Sequence, residues 1–157
     1  MKRIAFFACA AIFLFSWRCL AESDTYENQI EQMIEKAEEL GIYLKSNTLD
    51  LAGYDKWFKD FKKLNEQFER DFLITSKQKG SFKAIQEGVY GLSLAWNMLN
   101  QAQYAQQEYK EAITLDDVNY AHKWKSTESE QRKKASDTIV RAVGNIKRAR
   151  TLLEEGN

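Results

Sequence analysis

The sequence predicts an all-α fold: an up-down helical bundle of about four helices, partly coiled-coil-like, that follows a cleaved signal peptide. Three observations lead to this prediction. The 157-residue chain contains no proline, the residue that breaks helix interiors. Its apolar residues recur in alternating steps of three and four, which places them on one face of a helix. No segment alternates by two, as the residues of a half-buried strand do.

The first 21 residues have the layout of a secretory signal peptide. Met1-Lys2-Arg3 is basic, an apolar run follows over 4–15, and Cys19-Leu20-Ala21 places small residues at the two positions that a signal peptidase reads. We therefore expect a signal peptide over 1–21 and one periplasmic or secreted domain over 22–157. Two alternatives stay open: a retained leader, which would be the only membrane contact, and a lipoprotein acylated on Cys19.

Removal of the leader changes the charge and the cysteine content of the chain. The 23 basic residues fall to 20 against 23 acidic residues, a net charge of −3. A chain of this charge is not a general nucleic-acid binder, because affinity for phosphates depends on clustered cations. Cys9 and Cys19 leave with the leader, so the mature chain is predicted to form no disulfide and to offer no thiolate ligand.

Two helices are predicted in the first half of the mature chain. The first begins at a capping box, Asp24 with Glu27, and Gly41 is its candidate C-cap. Its apolar seam comprises Tyr26, Ile30, Met33, Ala37, Leu40 and Leu44. The second helix runs from about Asp50 to Thr75. Its stripe is strongly aromatic and comprises Leu51, Tyr54, Trp57, Phe58, Phe61, Leu64, Phe68 and Phe72.

A third helix is predicted after a break over 76–81, with Ser81 as its candidate N-cap. Its apolar seam comprises Phe82, Ile85, Val89, Leu92, Trp96 and Leu99. After Leu99 the seam turns polar, with several glutamines and asparagines, and the helix is expected to continue to about Ala112. A short helical piece is predicted to follow over 116–125.

The fourth helix is predicted to start near a second capping box, Thr127 with Glu130, and Gly156 is its candidate C-cap. Its seam comprises Ala135, Ile139, Ala142, Ile146, Ala149 and Leu153. The order of the helices around the bundle does not follow from these seams, because each seam identifies a buried face and not its neighbour.

Charge is sorted along the chain, with acidic residues concentrated over 22–44 and basic residues over 132–150. One interpretation is that the first and last helices are neighbours and neutralise each other, at a few tenths of a kcal/mol for each exposed pair. The other is that opposite ends meet between subunits, or that the basic helix meets an acidic partner or a membrane surface. Arg141, Lys147 and Arg148 are the candidate contact residues of the basic helix.

A ridge of small residues, Ala84, Gly88, Gly91 and Ala95, lies on the third helix. Glycine inside a helix costs about 1 kcal/mol relative to alanine, so two glycines on one ridge need an explanation. One explanation is close packing, with the ridge making room for the aromatic stripe of the second helix. The other is a groove, marked by Gly88, Gly91 and Trp96, that takes a partner helix or an apolar ligand.

Four aromatic residues lie in more polar surroundings than the rest. They are Tyr104, Tyr109, Tyr120 and Trp124. Tyrosine and tryptophan are enriched among the residues that dominate the binding energy of protein interfaces. These four are therefore predicted to be partner contacts.

Residues for catalysis or cofactor binding are scarce. His122 is the one histidine of the chain, and it cannot by itself supply a zinc site, a catalytic triad or a nucleophile–base pair. The sequence contains no Glu-x-x-His pair, no Cys-x-x-Cys-His haem motif and no phosphate-binding glycine loop. We therefore predict a protein that is not an enzyme and that binds no metal and no cofactor.

Three stretches carry a resemblance to a known family. They are 28–33, the Gln/Asn/Tyr-rich run over 97–109, and the segment from Lys123-Trp124 to Ser136-Asp137-Thr138. In layout and composition the chain resembles the TrbJ-type conjugal transfer proteins, which are periplasmic components of type IV secretion related to minor pilus-tip subunits. The chain is shorter than typical members and lacks their loop prolines. The resemblance implies an adhesive or assembly role without catalysis.

Taken together, these features predict an exported, non-enzymatic helical protein that acts through protein contacts, as a periplasmic component of a type IV secretion or conjugal transfer apparatus. Its expected partners are proteins of the cell envelope, with self-association included and nucleic acid excluded. The alternative is a periplasmic helical bundle that binds a small apolar ligand in the groove beside Gly88 and Gly91.

Overall fold

The computed structural model describes residues 26–46, 50–72 and 78–155, and these residues form four helices without any strand. The helices are α1 over 26–46, α2 over Leu51–Asp71, α3 over Gln78–Thr114 and α4 over Val118–Glu154. The prediction of an all-α, up-down bundle is confirmed. The predicted leader, the capping residue Asp24 and the C-cap Gly156 lie outside the described residues.

Each helix runs antiparallel to the next, and α4 returns to lie beside α1. Two contacts along each pair establish the direction. These pairs are Tyr26–Phe68 and Lys36–Trp57 for α1 and α2, Tyr54–Trp96 and Phe68–Phe82 for α2 and α3, Gly88–Ile146 and Met98–Thr138 for α3 and α4, and Glu31–Arg150 and Gly41–Val143 for α1 and α4. The order around the bundle is therefore the order along the chain.

The apolar seams predicted from the sequence form the core. All six seam residues of α1 are buried, as are five of the six on α3 and five of the six on α4, with Leu99 and Leu153 partly buried. The aromatic stripe of α2 is predicted too wide. Trp57, Phe61 and Phe68 are buried, whereas Leu51 and Phe58 point towards solvent, because eight stripe residues span more of the helix surface than α1 and α3 cover.

Three predicted helix boundaries are wrong, at Ser81, at Gly41 and at Thr127. Ser81 is not the N-cap of α3, which already includes Gln78; its buried hydroxyl lies 3.2 Å from the Tyr26 hydroxyl, in hydrogen-bond contact. Gly41 is not a C-cap either, since α1 continues to residue 46. A Cβ at position 41 would lie 3.2 Å from a Val143 methyl, so this glycine serves the close approach of α4.

The helix predicted to start near Thr127 is in fact continuous with the short piece before it. α4 begins after Asp117, whose carboxylate accepts a hydrogen bond from the Tyr120 backbone N–H at 3.0 Å. The Thr127 hydroxyl donates to the Lys123 carbonyl at 3.1 Å, as threonine does inside a helix. The Thr-x-x-Glu pattern therefore occurs within a helix here and does not mark its first turn.

α3 and α4 are much longer than the helices that cover them. Each has 37 residues and is about 55 Å long, against 21 residues and about 32 Å for α2. The hydrophobic core ends at Leu99 on α3 and at Ala135 on α4. Beyond it, residues 100–114 and 118–131 form a two-helix projection that we call the stalk. Its α3 face continues with Gln103 and Gln106, which give α1 and α2 no apolar surface to cover.

Small residues hold α3 and α4 together along their whole length. On α4 five of the seven buried positions recur every seven residues, and four of these five are alanines: Ala121, Glu128, Ala135, Ala142 and Ala149. On α3 the buried small residues include Ala84, Ala95, Ala102, Ala105 and Ala112, with Gly88 between the first two. A seven-residue repeat is the spacing of a coiled-coil seam. Alanine in that seam lets two helices approach closely.

The glycine ridge packs against α4 and not against the aromatic stripe of α2. A Cβ at Gly88 would lie 2.6 Å from Ile146 Cγ1, and one at Gly91 would lie 2.9 Å from Ala142 Cβ. The ridge is therefore closely packed, as one interpretation predicts, but its partner is α4 and not α2. The space over both glycines is filled by α4, so the described residues form no open groove at Gly88 and Gly91.

Candidate functional site

Three of the four predicted aromatic contact residues meet on the stalk. The Trp124 ring lies 5.7 Å from the Tyr104 ring at 86° and 5.7 Å from the Tyr120 ring at 82°. Edge-to-face contacts of this kind are a favoured arrangement of aromatic rings. Tyr104 comes from α3, and the turn after that helix brings the two α4 residues beside it. We call Tyr104, Tyr120 and Trp124 the aromatic cluster.

The two tyrosines of the aromatic cluster face solvent while the tryptophan supports them. Tyr104 is 55% exposed and Tyr120 is 39% exposed, whereas Trp124 is half-buried. The Trp124 indole N–H is buried and has no hydrogen-bond acceptor among the described residues. A buried donor without an acceptor reduces stability. Because both tyrosine rings are exposed, the cluster is a solvent-facing surface and not a continuation of the core.

Charged groups surround the aromatic cluster. The Tyr120 hydroxyl donates a hydrogen bond to the Glu108 carboxylate at 3.1 Å. A hydrogen bond to the same carboxylate raises the pKa of Tyr104 above its ordinary value of 10.0. Lys123 Nζ lies 5.4 Å from the Trp124 ring and 5.9 Å from the Tyr120 ring, within cation–π distance. The surface thus combines two phenol side chains with the Glu108 carboxylate and the Lys123 ammonium group.

Tyr109 lies apart from this cluster. Its ring is 5.2 Å from Lys125 Nζ, and it has no ring contact with the other three aromatic residues among the described residues. The structure thus places all four predicted aromatic residues on the stalk but brings only three of them together.

The basic residues predicted as contacts lie on the bundle half of α4, away from the aromatic cluster. Arg150 pairs with Glu31 and with Glu38 of α1, the latter at 3.1 Å, which supports the interpretation that the first and last helices neutralise each other. Arg141, Lys147 and Arg148 are exposed and form no salt bridge within the described part of the chain.

Glu128 is the exception in the alanine seam of α4. It is only 7% exposed, and its carboxylate accepts from Arg132 Nε at 2.9 Å and from Lys125 Nζ at 3.3 Å. The hydrogen bond from Arg132 is the main reason why the pKa of Glu128 lies below its ordinary value of 4.5, against the opposing effect of burial. A buried charge at a single seam position costs desolvation energy and favours one register of two helices.

The stability of the antiparallel pair α3 and α4, which we call the hairpin, should therefore depend on pH through Glu128. Because its folded pKa is lowered, the contribution is complete above 4.5 and is lost as the pH falls through the folded value. We expect Glu128→Gln to remove this part of the acid sensitivity, measured as the difference in Tm between about pH 7 and about pH 3. Glu66→Gln is the control, because the pair of Glu66 with Lys62 is exposed to solvent and lies on α2, outside the α3–α4 seam. Equal acid sensitivity in wild type and Glu128→Gln would contradict this account.

Exposed apolar residues at the end of the stalk were not predicted from the sequence. Ile113, Leu115 and Val118 are 57%, 71% and 59% exposed, and they flank the turn between α3 and α4. Asp116 in that turn has φ +56°, a left-handed conformation that aspartate tolerates better than most residues. We call these three apolar residues with Asp116 and Asp117 the tip. The sequence contains one signal that could have indicated the tip. It is the occurrence of three apolar residues after a polar run and outside any seam.

Neither a cluster of metal ligands nor a membrane-spanning helix is found among the described residues. No group of three or more histidine, cysteine, aspartate or glutamate side chains within these ranges could hold a metal ion, and His122 is exposed. None of the described helices combines the length and the apolar character needed to cross a membrane.

Comparison with known proteins adds no relative. No protein-family model, no curated protein and no solved structure matches this chain.

Proposed function

We propose that this chain is an exported, non-enzymatic protein that works through protein contacts made by its stalk. The observation that carries the proposal is the exposed aromatic cluster, held beyond the hydrophobic core by two helices. Tyr104 and Tyr120 combine a large apolar ring with a hydroxyl, and Trp124 fixes both rings from below. Tyrosine and tryptophan in such positions provide contact area at a low cost in conformational entropy.

The location and the apparatus are the more specific parts of this proposal. The leader over 1–21 supports export to the periplasm or beyond. The Gln/Asn/Tyr-rich run over 97–109 supports a periplasmic role in a type IV secretion or conjugal transfer apparatus. Most of that run lies in the α3 part of the stalk, and Tyr104 belongs to it. The proposed partners are therefore proteins of the cell envelope.

Photo-crosslinking in living cells tests the proposed contact surface. A photoreactive amino acid is placed at Tyr104 or Tyr120, and in the control at Tyr90, which is 67% exposed on the bundle half of α3. We expect discrete adducts with an envelope protein from the two stalk positions and a much weaker signal from position 90. Mass spectrometry of the adduct identifies the partner.

Two results would contradict the proposal. Adducts of equal strength from all three positions, or none from any, would mean that the aromatic cluster is not a specific contact surface. Sequencing of the isolated protein tests export separately. A first residue at Glu22 supports it, whereas an intact Met1 in a cytoplasmic fraction rules it out.

A further inference from the structure

A cavity lies at the base of the stalk, where α1 ends against the α3–α4 hairpin. Its volume is about 270 Å³. Its apolar lining comprises Leu44, Leu99, Ile139 and Val140. Lys45 and Arg132 also line it. Arg132 is paired with Glu128, so the cation of the lining that forms no salt bridge among the described residues is Lys45. A site of this kind suits an apolar side chain that is accompanied by negative charge.

The tip has the complementary chemistry. Leu115 is the most exposed of its three apolar side chains, and Asp116 and Asp117 follow it directly. The Asp117 carboxylate caps α4, so Asp116 is the carboxylate of the tip that can meet an outside partner. An apolar side chain next to this carboxylate matches an apolar cavity next to Lys45. Complementary charges of this kind determine the register of an interface and speed its formation.

The tip and the cavity are on the same side of the hairpin. Ile113 follows Leu99 on α3 by two heptads, and Val118 precedes Ile139 on α4 by three. A position on a straight helix drifts by only about 20° for each heptad, so residues spaced in this way stay on one side. The tip therefore lies one stalk length from the cavity, on the side where the cavity opens.

We propose that two copies of this chain pair through antiparallel stalks, with the tip of each copy seated in the cavity of the other. The distance from tip to cavity is the same in both copies, so a two-fold axis across the stalks makes both contacts at once. Gln103 and Gln106 lie between the two contacts and would face the second stalk. This pairing extends the four-helix arrangement of the bundle along both stalks.

A second copy fits the tip better than a lipid membrane does. Asp116 and Asp117 would have to enter the interface with any inserted tip, and charged side chains are costly there. In the paired arrangement the Asp116 carboxylate meets Lys45, and Asp117 keeps its capping hydrogen bond. The pairing uses residues other than the aromatic cluster. A test of the pairing is therefore independent of a test of the proposed function.

Sedimentation equilibrium of the full chain tests the pairing. We expect a monomer–dimer equilibrium whose Kd rises more than about tenfold for Leu115→Glu, because a buried leucine is lost from both contacts. Ser136→Trp should act in the same way, because Ser136 lines the cavity and a tryptophan would fill it. Both residues are exposed in the single chain, and circular dichroism checks that the fold is kept. Tyr90→Glu, at a similarly exposed position, should leave the Kd unchanged.

Mixing the two variants provides the sharper test. Each variant alone forms a dimer without an intact contact, whereas the mixed dimer of Leu115→Glu with Ser136→Trp has one intact tip in one intact cavity. We therefore expect the mixed dimer to be tighter than either variant with itself. A wild-type chain that stays monomeric up to about 1 mM, or a mixture that pairs no better than its components, would overturn the proposal.

Discussion

Replacement of Phe68 by alanine is expected to destabilise the protein by about 3–5 kcal/mol, the range for removing a large aromatic side chain from a core. Phe68 is fully buried, and its ring lies 5.4 Å from Tyr26, 5.1 Å from Phe72 and 4.8 Å from Phe82. It therefore joins α2 to both α1 and α3 at one end of the bundle. The free energy of unfolding, measured in urea, checks this expectation.

Phe58→Ala is the matched control on the same helix. Phe58 belongs to the same predicted stripe but is 45% exposed, and its ring contact is with Tyr54 at 6.1 Å. We expect a loss of about 1 kcal/mol, since much of its surface is already in water. Similar losses for the two variants would mean that α2 does not pack with the face described above.

The second large effect is expected from Gly88→Ala, which should destabilise the protein by about 1–3 kcal/mol through overpacking. The new Cβ would lie 2.6 Å from Ile146 Cγ1 and 3.1 Å from the Ala142 carbonyl oxygen, so α3 and α4 would have to separate. Alanine is the better helix former by about 1 kcal/mol, and propensity alone predicts the opposite sign. Thermal and urea unfolding both report the change.

Gly144→Ala separates the effect of helix propensity from the effect of overpacking. Gly144 lies on α4 and is exposed, and a Cβ at this position would meet no neighbouring atom of the described residues within 4 Å. Here only helix propensity acts, so we expect stabilisation by about 0.5–1 kcal/mol. If Gly88→Ala also stabilised the protein, the close contact of α3 with α4 would be wrong.

The sequence was sufficient to predict the helices that bury one apolar face. The six seam residues of α1 recur in steps of four and three, and all six are buried, because this spacing leaves only one way to remove them from water. Ile34 is buried as well although it lies beside the seam. Its burial follows from the contact of α1 with more than one helix. The apolar pattern of α1 alone gives no information about how many helices cover it.

The neighbour of the glycine ridge could not be predicted from the ridge itself. Small residues allow a close approach, but they do not indicate which helix approaches. The partner had its own signal, a seven-residue series on α4 with alanine at positions 121, 135, 142 and 149 and glutamate at 128. Small side chains on two helices, each at seam spacing, are what a closely packed antiparallel pair requires.

The aromatic cluster was predicted only as single residues. Tyr104 and Trp124 are separated by twenty positions, and they meet because α3 and α4 are continuous up to the turn over 115–117. The capping pattern instead predicts a helix start at Thr127, which leaves the geometry of this segment undefined. The exposed residues of the tip were missed for the same reason, since they gain significance only at the end of a hairpin.

The central claim is that α3 and α4 continue beyond the bundle as a straight stalk that presents the contact residues. The most direct measurement is the distance between spin labels at positions 87 and 111 of α3, by pulsed electron paramagnetic resonance. Glu87 lies in the bundle and Glu111 near the tip, and both are exposed. Dilution with excess unlabelled protein removes distances between copies.

A continuous helix predicts one narrow distance distribution near 36 Å, from about 24 residues at roughly 1.5 Å each. The Tyr104→Ala variant should give the same distance, because the cluster lies on the stalk and does not build it. A broad distribution, or one centred well below this distance, would mean that the stalk bends or folds back, and it would contradict the presentation of both the aromatic cluster and the tip.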